Sequence, residues 1–136
     1  MDTGKSALGL DGNVAAALGY PIGIIAIISL VMEKENRFVK FHAVQSLLLH
    51  AAVIVVGIGL AIVFMIIGII FGLAASAGGG SAAGGLAGLL GLLSFLIWMV
   101  ILLAYIGGLI MAAVKAYQGE KFMLPMIGAM ADKWTK

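Results

Sequence analysis

The sequence has 136 residues, of which 63% are hydrophobic and only 10% are charged, and its formal net charge is +2. Soluble globular proteins contain roughly a quarter charged residues, so this composition argues against a soluble fold and predicts an integral membrane protein. The absence of cysteine excludes disulfides, thiolate zinc sites and Cys-ligated iron–sulfur clusters. A small positive charge beside long apolar runs fits contact with anionic lipid headgroups, and we expect no nucleic-acid partner.

Three long apolar runs predict an all-α membrane protein with three transmembrane helices. The runs cover approximately residues 13–32, 47–75 and 86–114, and each is long enough for a hydrocarbon core of about 30 Å. We expect residues 1–136 to form a single transmembrane domain.

The first run is preceded by a short polar segment, residues 1–12, which we expect to be a frayed terminus. Within the run, Pro21 removes one backbone hydrogen bond and should kink the helix next to Tyr20. Small residues recur at four-residue spacing, the pattern that lets another helix approach closely: Ala15, Gly19 and Gly23. We therefore predict a kinked, closely packed span.

The second helix should begin in a charged surface segment, residues 33–46, with the sequence EKENRFVKFHAVQS. A helix from Arg37 to Ala75 would be about 58 Å long, nearly twice the hydrocarbon thickness. We therefore predict an interfacial amphipathic lead-in before a tilted or bent span over 47–75. Gly57 to Gly59 is the expected bend.

Residues 76–85 are rich in glycine and serine, which predicts a flexible loop before the third span. After that span comes a second surface segment, residues 115–136. Pro125 suits the first turn of a short helix, and an apolar stripe follows at helical spacing: Ile127, Met130, Ala131 and Trp134. We predict a C-terminal surface helix with Trp134 at headgroup level, the alternative being a disordered tail.

The distribution of Lys and Arg predicts the orientation in the cell membrane, because short basic loops stay in the cytoplasm. With three spans, Lys5 lies on one side. The first loop and the tail carry the other basic residues: Lys34, Arg37, Lys40, Lys115, Lys121, Lys133 and Lys136. We therefore predict a multi-pass protein with the first loop and the C-terminus cytoplasmic and the N-terminus outside.

Polar residues at the start of the second helix are the only candidates for chemistry within the apolar part. They are His42, Gln45, Ser46 and His50. The two histidines lie ~12 Å apart along the helix axis, too far to bind one metal from a single helix. We predict that Gln45 and His50, the intramembrane polar residues, hydrogen-bond to neighbouring helices, the alternative being a proton relay or ligand site.

Other chemistry finds little support in the sequence. The predicted spans contain no Asp, Glu, Lys or Arg, which argues against an ion-coupled transporter. No arrangement of nucleophile, base and acid suggests catalysis. We expect no enzyme activity, no catalytic residue, no cofactor and no metal.

The two charged segments share the cytoplasmic side and could form one partner surface. Phe38 and Phe41 would enter the membrane interface together, flanked by Arg37 and Lys40. Trp134 or Tyr117 would then pack on the two phenylalanines, or Gln45 would hydrogen-bond to the tail backbone. The candidate surface comprises Arg37, Phe38, Lys40, Phe41, His42, Gln45, Tyr117, Gly119, Pro125, Gly128 and Trp134.

Two motifs carry a family resemblance: ENRFVKFHAVQSLLLH from Glu35 and AYQGEKFMLPMIGAMADKW from Ala116. They resemble a widespread prokaryotic family of small membrane proteins of unknown function, which is similar to the twenty-kilodalton subunit of the chloroplast inner-envelope protein-import translocon. The matching positions are Arg37, Phe38, Phe41, His42, Ala43, Gln45, Tyr117, Gly119, Leu124, Pro125 and Gly128. This chain departs from the chloroplast protein in two ways. Three spans are predicted here, whereas the chloroplast protein is thought to have four, and we expect no transit peptide in this chain. The resemblance implies a membrane protein with relatives in a multi-subunit import complex.

These observations favour a non-enzymatic subunit of an assembly or translocation type. It would act through packing of its small-residue helix faces against copies of itself or other membrane proteins. The alternative is a small channel or transporter with a pore between protomers, lined by Gln45 and His50. A membrane-bound enzyme has only the two histidines in its favour.

Overall fold

A computed structural model describes residues 3–135. Outside this range lie Met1, Asp2 and Lys136, so the predicted cytoplasmic position of Lys136 falls outside the described residues. Over the described residues the chain is helical, without strands. The elements are α1 (Gly12–Leu18), α2 (Gly23–Met32), α3 (Arg37–Ala74), a π-helical turn (Ala75–Gly79), α4 (Gly80–Tyr117) and α5 (Ile127–Trp134). The predicted all-helical class is confirmed.

The chain divides into two compact units. One, here called the packed module, contains residues 1–52 and 105–136, as far as they are described. The other, the apolar hairpin, is Val53–Ala104. Helices α3 and α4 contribute residues to both. The main core of the packed module consists of Ala16, Tyr20, Leu49, Ala112, Ala116 and Leu124.

The first predicted span is interrupted, and this corrects the number of spans. Helices α1 and α2 have 7 and 10 residues, whereas a spanning helix needs roughly 20. The break surrounds Pro21, which has no N–H to continue the helix. Within residues 3–135, only α3 and α4 are long and apolar enough to cross a membrane. The structure therefore has two candidate spans and not three.

The N-terminal segment is tied to the loop after α2. Asn36 Nδ2 donates a hydrogen bond of 2.6 Å to the Thr3 carbonyl oxygen, and the Ala7 N–H donates to the Glu33 carboxylate at 2.8 Å. The prediction of a frayed terminus is thus wrong for residues 3–12. These bonds favour one side of the membrane for the N-terminus and the first loop, since a hydrocarbon layer cannot separate hydrogen-bonded groups, whereas the sequence predicted opposite sides.

The glycine-rich segment is mainly helical and not a flexible loop. The π-helical turn leads into α4, which begins at Gly80. Backbone φ is positive at Gly78 (98°) and Gly80 (57°), where glycine avoids the steric penalty of a Cβ. The remaining residues include several alanines, the best helix formers. The alanines of this segment therefore favour helix on both sides of the turn, and only Gly78 and Gly80 adopt the positive φ that the turn requires.

The two helices of the apolar hairpin face each other at alternating spacings of four and three residues. The half-buried inward positions are Leu60, Phe64, Ile67, Phe71, Leu90, Ser94, Ile97 and Ile101. This spacing is typical of helices packed at a small crossing angle. Helix α3 continues through the predicted bend at Gly57–Gly59. A Cβ added at Gly57 would lie 3.1 Å from Trp98 Cη2, so this glycine makes room for the indole ring.

Candidate functional site

The side-chain amide of Gln45 connects three segments of the packed module. Gln45 is fully buried on α3. Its Oε1 accepts from the Leu124 N–H at 3.0 Å, and its Nε2 donates to the Phe122 carbonyl at 3.0 Å and to Tyr20 Oη at 2.7 Å. The amide thus pairs with the Phe122–Leu124 backbone much as a neighbouring peptide group would. We call these four groups the Gln45 clamp.

The hydrogen bonds of the clamp continue to His42. Tyr20 Oη lies 2.9 Å from His42 Nδ1. Because Gln45 donates to the tyrosine oxygen, the hydroxyl hydrogen of Tyr20 points to Nδ1, which must be an acceptor. From this network the neutral tautomer is assigned, with its hydrogen on Nε2. Nε2 is buried and makes no hydrogen bond of standard geometry within residues 3–135, although the Glu120 backbone interacts with the imidazole.

Aromatic rings surround His42. The centroids of Phe38, Phe41 and Tyr20 lie 4.6, 5.1 and 5.9 Å from the imidazole centroid, each ring in an edge orientation. Phe41 is fully buried, and Lys121 Nζ lies 4.7 Å from its ring centroid. Phe41 is therefore covered by the chain itself, whereas the sequence predicted that Phe38 and Phe41 enter the membrane interface together. The tail of the chain covers the position that lipid was expected to occupy.

Ser46 and His50 continue the polar face of α3. Ser46 Oγ donates at 2.7 Å to the Gly19 carbonyl at the end of α1, so it serves the break before Pro21. His50 Nδ1 lies 2.7 Å from the Ser46 carbonyl oxygen, and the His50 ring meets Tyr105 edge-on at 5.8 Å. Gln45 and Ser46 therefore bond to neighbouring segments, whereas His50 bonds within its own helix.

Two glycines shape the tail that the clamp holds. Gly119 ends α4 with φ 77°, the left-handed conformation common after a helix. At Gly128, an added Cβ would lie 2.5 Å from Met123 Cβ and 2.8 Å from Gln45 Oε1. Only glycine fits there without displacing the clamp. Lys121 pairs with Asp132 and further fastens the tail.

The predicted contact between the two motifs is present, but not in every form considered. Gln45 bonds to the tail backbone as expected. Trp134 lines an apolar hollow of about 330 Å³ with Leu30, Val44, Leu47, Leu48 and Ala51. The Tyr117 carbonyl accepts from Asn13 Nδ2 at 2.8 Å. The role of this contact as a docking surface stays a prediction.

The remaining predicted surface residues divide by exposure. Arg37, Pro125 and Trp134 are exposed, and Lys40 is half-buried. The C-terminal helix is confirmed, but it begins at Ile127, two residues after Pro125. It packs on the module through Gly128 and Ala131, which are buried, while Met130 and Trp134 are exposed. Of the predicted apolar stripe, Ala131 therefore packs inside the module, Ile127 is half-buried, and Met130 and Trp134 are exposed on its surface.

Tyr20 is the site residue that the sequence prediction missed, since it appeared there only as the neighbour of Pro21. A phenol in an apolar run needs a hydrogen-bond partner when it is buried, and that requirement was the available signal. Within residues 3–135, no group of three or more His, Asp or Glu is placed to hold a metal ion.

Replacing Gln45 by Leu should release the tail. The substitution leaves the Leu124 N–H and the Phe122 carbonyl without their side-chain partner, and each buried unsatisfied group costs about 1–3 kcal/mol. The Tyr20 hydroxyl loses one of its two partners and keeps His42. We predict a markedly lower thermal unfolding temperature in detergent and faster proteolysis between Gly119 and Met126. Tyr20→Phe removes the bonds of the hydroxyl to Gln45 and His42 but leaves both bonds between Gln45 and the tail, so it should have a smaller effect on proteolysis of the tail. Equal stability of Gln45→Leu and the unsubstituted protein would contradict the clamp.

Comparison with known proteins places the chain among small membrane proteins. Residues 7–131 match the family described as the magnetosome magnetite crystal formation protein family. A UPF0132 membrane protein of Methanocaldococcus jannaschii is 38% identical over 137 residues, covering 98% of this chain and 96% of the relative. A UPF0132 membrane protein of Archaeoglobus fulgidus is 35% identical over 122 residues, covering 89% and 92%.

A second UPF0132 membrane protein of Methanocaldococcus jannaschii is 30% identical over 131 residues, covering 96% of this chain and 74% of the relative. No solved structure matches the chain. The matches support the predicted family of small uncharacterised membrane proteins, but they give no support to a similarity with the chloroplast translocon subunit. The chain belongs to the magnetosome magnetite crystal formation protein family, which it shares with the small archaeal UPF0132 membrane proteins.

Proposed function

We propose that this chain is a non-enzymatic membrane-assembly protein whose apolar hairpin packs against hairpins of other copies. The observation that carries the proposal is a set of exposed glycines inside the two long helices. At Gly59, Gly72, Gly84 and Gly88, an added Cβ would meet no atom within 4 Å among the described residues. The contacts within the chain therefore give no reason for glycine at these positions.

The cost of these glycines supports an intermolecular role. Glycine in a helix interior is about 1 kcal/mol less favourable than alanine. Close approach of a second helix would offset this cost, because small residues let two backbones come near each other in a membrane. Gly84 and Gly88 are four residues apart and so lie on nearly the same face of α4.

A hollow in the hairpin also supports helix packing. It has a volume of about 180 Å³ and is lined by residues of both helices, including Phe64, Gly68, Phe71, Gly91 and Ser94. Gly68 and Gly91 leave its entrance open. A side chain from a neighbouring helix would fill it, as a knob fills a hole between two packed helices.

Other functions have less support. A pore between protomers required Gln45 and His50 to line it, but Gln45 is fully buried and bonded within the chain. The sequence also allowed a translocation role, but no contact within residues 3–135 specifically supports one. The family description concerns magnetite crystals, but among residues 3–135 no cluster of His, Asp or Glu suits a metal ion. The proposal therefore rests on the hairpin.

We further propose that both ends of the described chain lie in the cytoplasm. All eight Lys and Arg residues precede Phe41 or follow Val114. If α3 and α4, the two candidate spans within residues 3–135, both cross the membrane, these basic residues share one side, and the basic side is the cytoplasmic side. The glycine turn then lies outside. Compared with the sequence prediction, the C-terminus keeps its location and the N-terminus changes sides.

Enlarging a glycine on the outer face should weaken self-association. We predict that Gly84→Ala combined with Gly88→Ala lowers the oligomer fraction in mild detergent, measured by sedimentation, although alanine raises helix propensity. Gly88→Leu should have a stronger effect. Ala82→Leu, on the opposite side of α4 from Gly84, is the control. If the variants stay as associated as the control, or if the unsubstituted protein is a monomer, the assembly proposal fails.

The topology can be tested with single cysteines, because the natural chain contains none. We predict that a membrane-impermeant maleimide labels Ser81→Cys in intact cells. Ala7→Cys and Lys133→Cys should react only after the membrane is permeabilised. Labelling of Ala7→Cys and Lys133→Cys from different sides would contradict the two-span arrangement.

A further inference from the structure

An open cavity of about 730 Å³ lies between the N-terminal segment and the loop that joins α2 to α3. Its walls are residues 3–7 and 32–38. It is open to the outside, and the Gln45 clamp does not contribute to it. Neither the family description nor the proposed self-association assigns a role to this cavity.

The walls of the cavity are held in place by hydrogen bonds. Asn36 Nδ2 donates to the carbonyls of Thr3 (2.6 Å) and Lys5 (3.3 Å), while Asn36 Oδ1 accepts from the first N–H groups of α3. The Glu33 carboxylate accepts from the N–H groups of Ala7 and Asn36. The cavity is therefore formed before any ligand binds.

The lining of the cavity carries two cations without an ion-pair partner within residues 3–135, Lys34 and Arg37, beside the carboxylates of Glu33 and Glu35. Lys34 and Arg37 are exposed, and among the described residues neither makes an ion pair. Lys5 is already paired with Asp11. Of the two acidic residues in the lining, Glu33 is 5% exposed and hydrogen-bonded through both oxygens, whereas Glu35 is exposed. Two cations thus remain available at the opening.

An apolar stripe on α2 leads to the same cavity. Ile24, Ile28 and Val31 follow helical spacing and are 65%, 39% and 73% exposed. The stripe ends beside Met32, which lines the cavity. Cations next to an exposed apolar stripe match the two parts of an amphiphile, an anionic head and a hydrocarbon chain.

We propose that this cavity binds the phosphate of a membrane phospholipid, with an acyl chain along the α2 stripe. The Arg37 guanidinium can donate two parallel hydrogen bonds to phosphate oxygens, and the Lys34 ammonium adds a second positive charge. The stripe gives the acyl chain an apolar surface and thereby distinguishes a lipid from free phosphate. This site does not depend on self-association of the hairpin.

Native mass spectrometry of the full chain, released from a mild non-ionic detergent with added phosphatidylglycerol, tests the site. We predict that Lys34→Gln and Arg37→Gln each raise the dissociation constant of the lipid about tenfold, as expected for loss of a charge-assisted hydrogen bond. Val31→Asn should also weaken binding, because it interrupts the stripe. Lys133→Gln, an exposed cation on α5 outside the cavity, is the matched control and should bind as the unsubstituted protein does.

Two further probes decide the chemistry. Diacylglycerol, which lacks the phosphate, should bind much more weakly than phosphatidylglycerol, and millimolar inorganic phosphate should not displace the lipid. Equal binding of diacylglycerol, displacement by inorganic phosphate, or equal affinities of Arg37→Gln and Lys133→Gln would each overturn the proposal. Circular dichroism checks that the variants remain folded. If Arg37→Gln loses helicity, Lys34→Gln gives the answer alone.

Discussion

The packed module depends on one buried amide. Gln45 has no access to solvent, and an unpaired amide in such surroundings would cost several kcal/mol. Its three hydrogen bonds reach Tyr20 in the break between α1 and α2 and the Phe122–Leu124 segment after α4. Segments 25 and 79 residues away from Gln45 in the chain are thereby fixed against α3, and Gly128 leaves the space that this arrangement needs.

The division into two units follows the distribution of polar groups. In the packed module, buried polar side chains such as His42, Gln45 and Ser46 specify which segments meet, because each must find a partner. In the apolar hairpin, large apolar side chains are exposed along both helices. The choice of which helix faces pack together must therefore come from shape, which is set by the glycines and the inward-facing side chains. The first unit is suited to hold the chain together and the second to contact lipid or other helices.

Local signals in the sequence predicted much of the helical structure. Charge and apolar length predicted a helix from Arg37 to Ala75, and α3 covers Arg37–Ala74. The bond between Gln45 and the tail was one of the alternative contacts predicted between the two motifs. The splitting of the first apolar run did not follow, since it depends on contacts between distant residues. Ser46 bonds Gly19 across 27 residues and Asn36 bonds Thr3 across 33. The burial of Phe41 likewise depends on the tail, which composition cannot place.

Hydrogen exchange at the Leu124 amide tests the central claim most directly. This N–H has no helical partner; it donates to Gln45 Oε1, so its protection reports the clamp alone. The account predicts slow exchange at Leu124, comparable to the interior of α3, and fast exchange in Gln45→Leu. Exchange at Leu124 in the unsubstituted protein as fast as in an unstructured peptide would contradict the account.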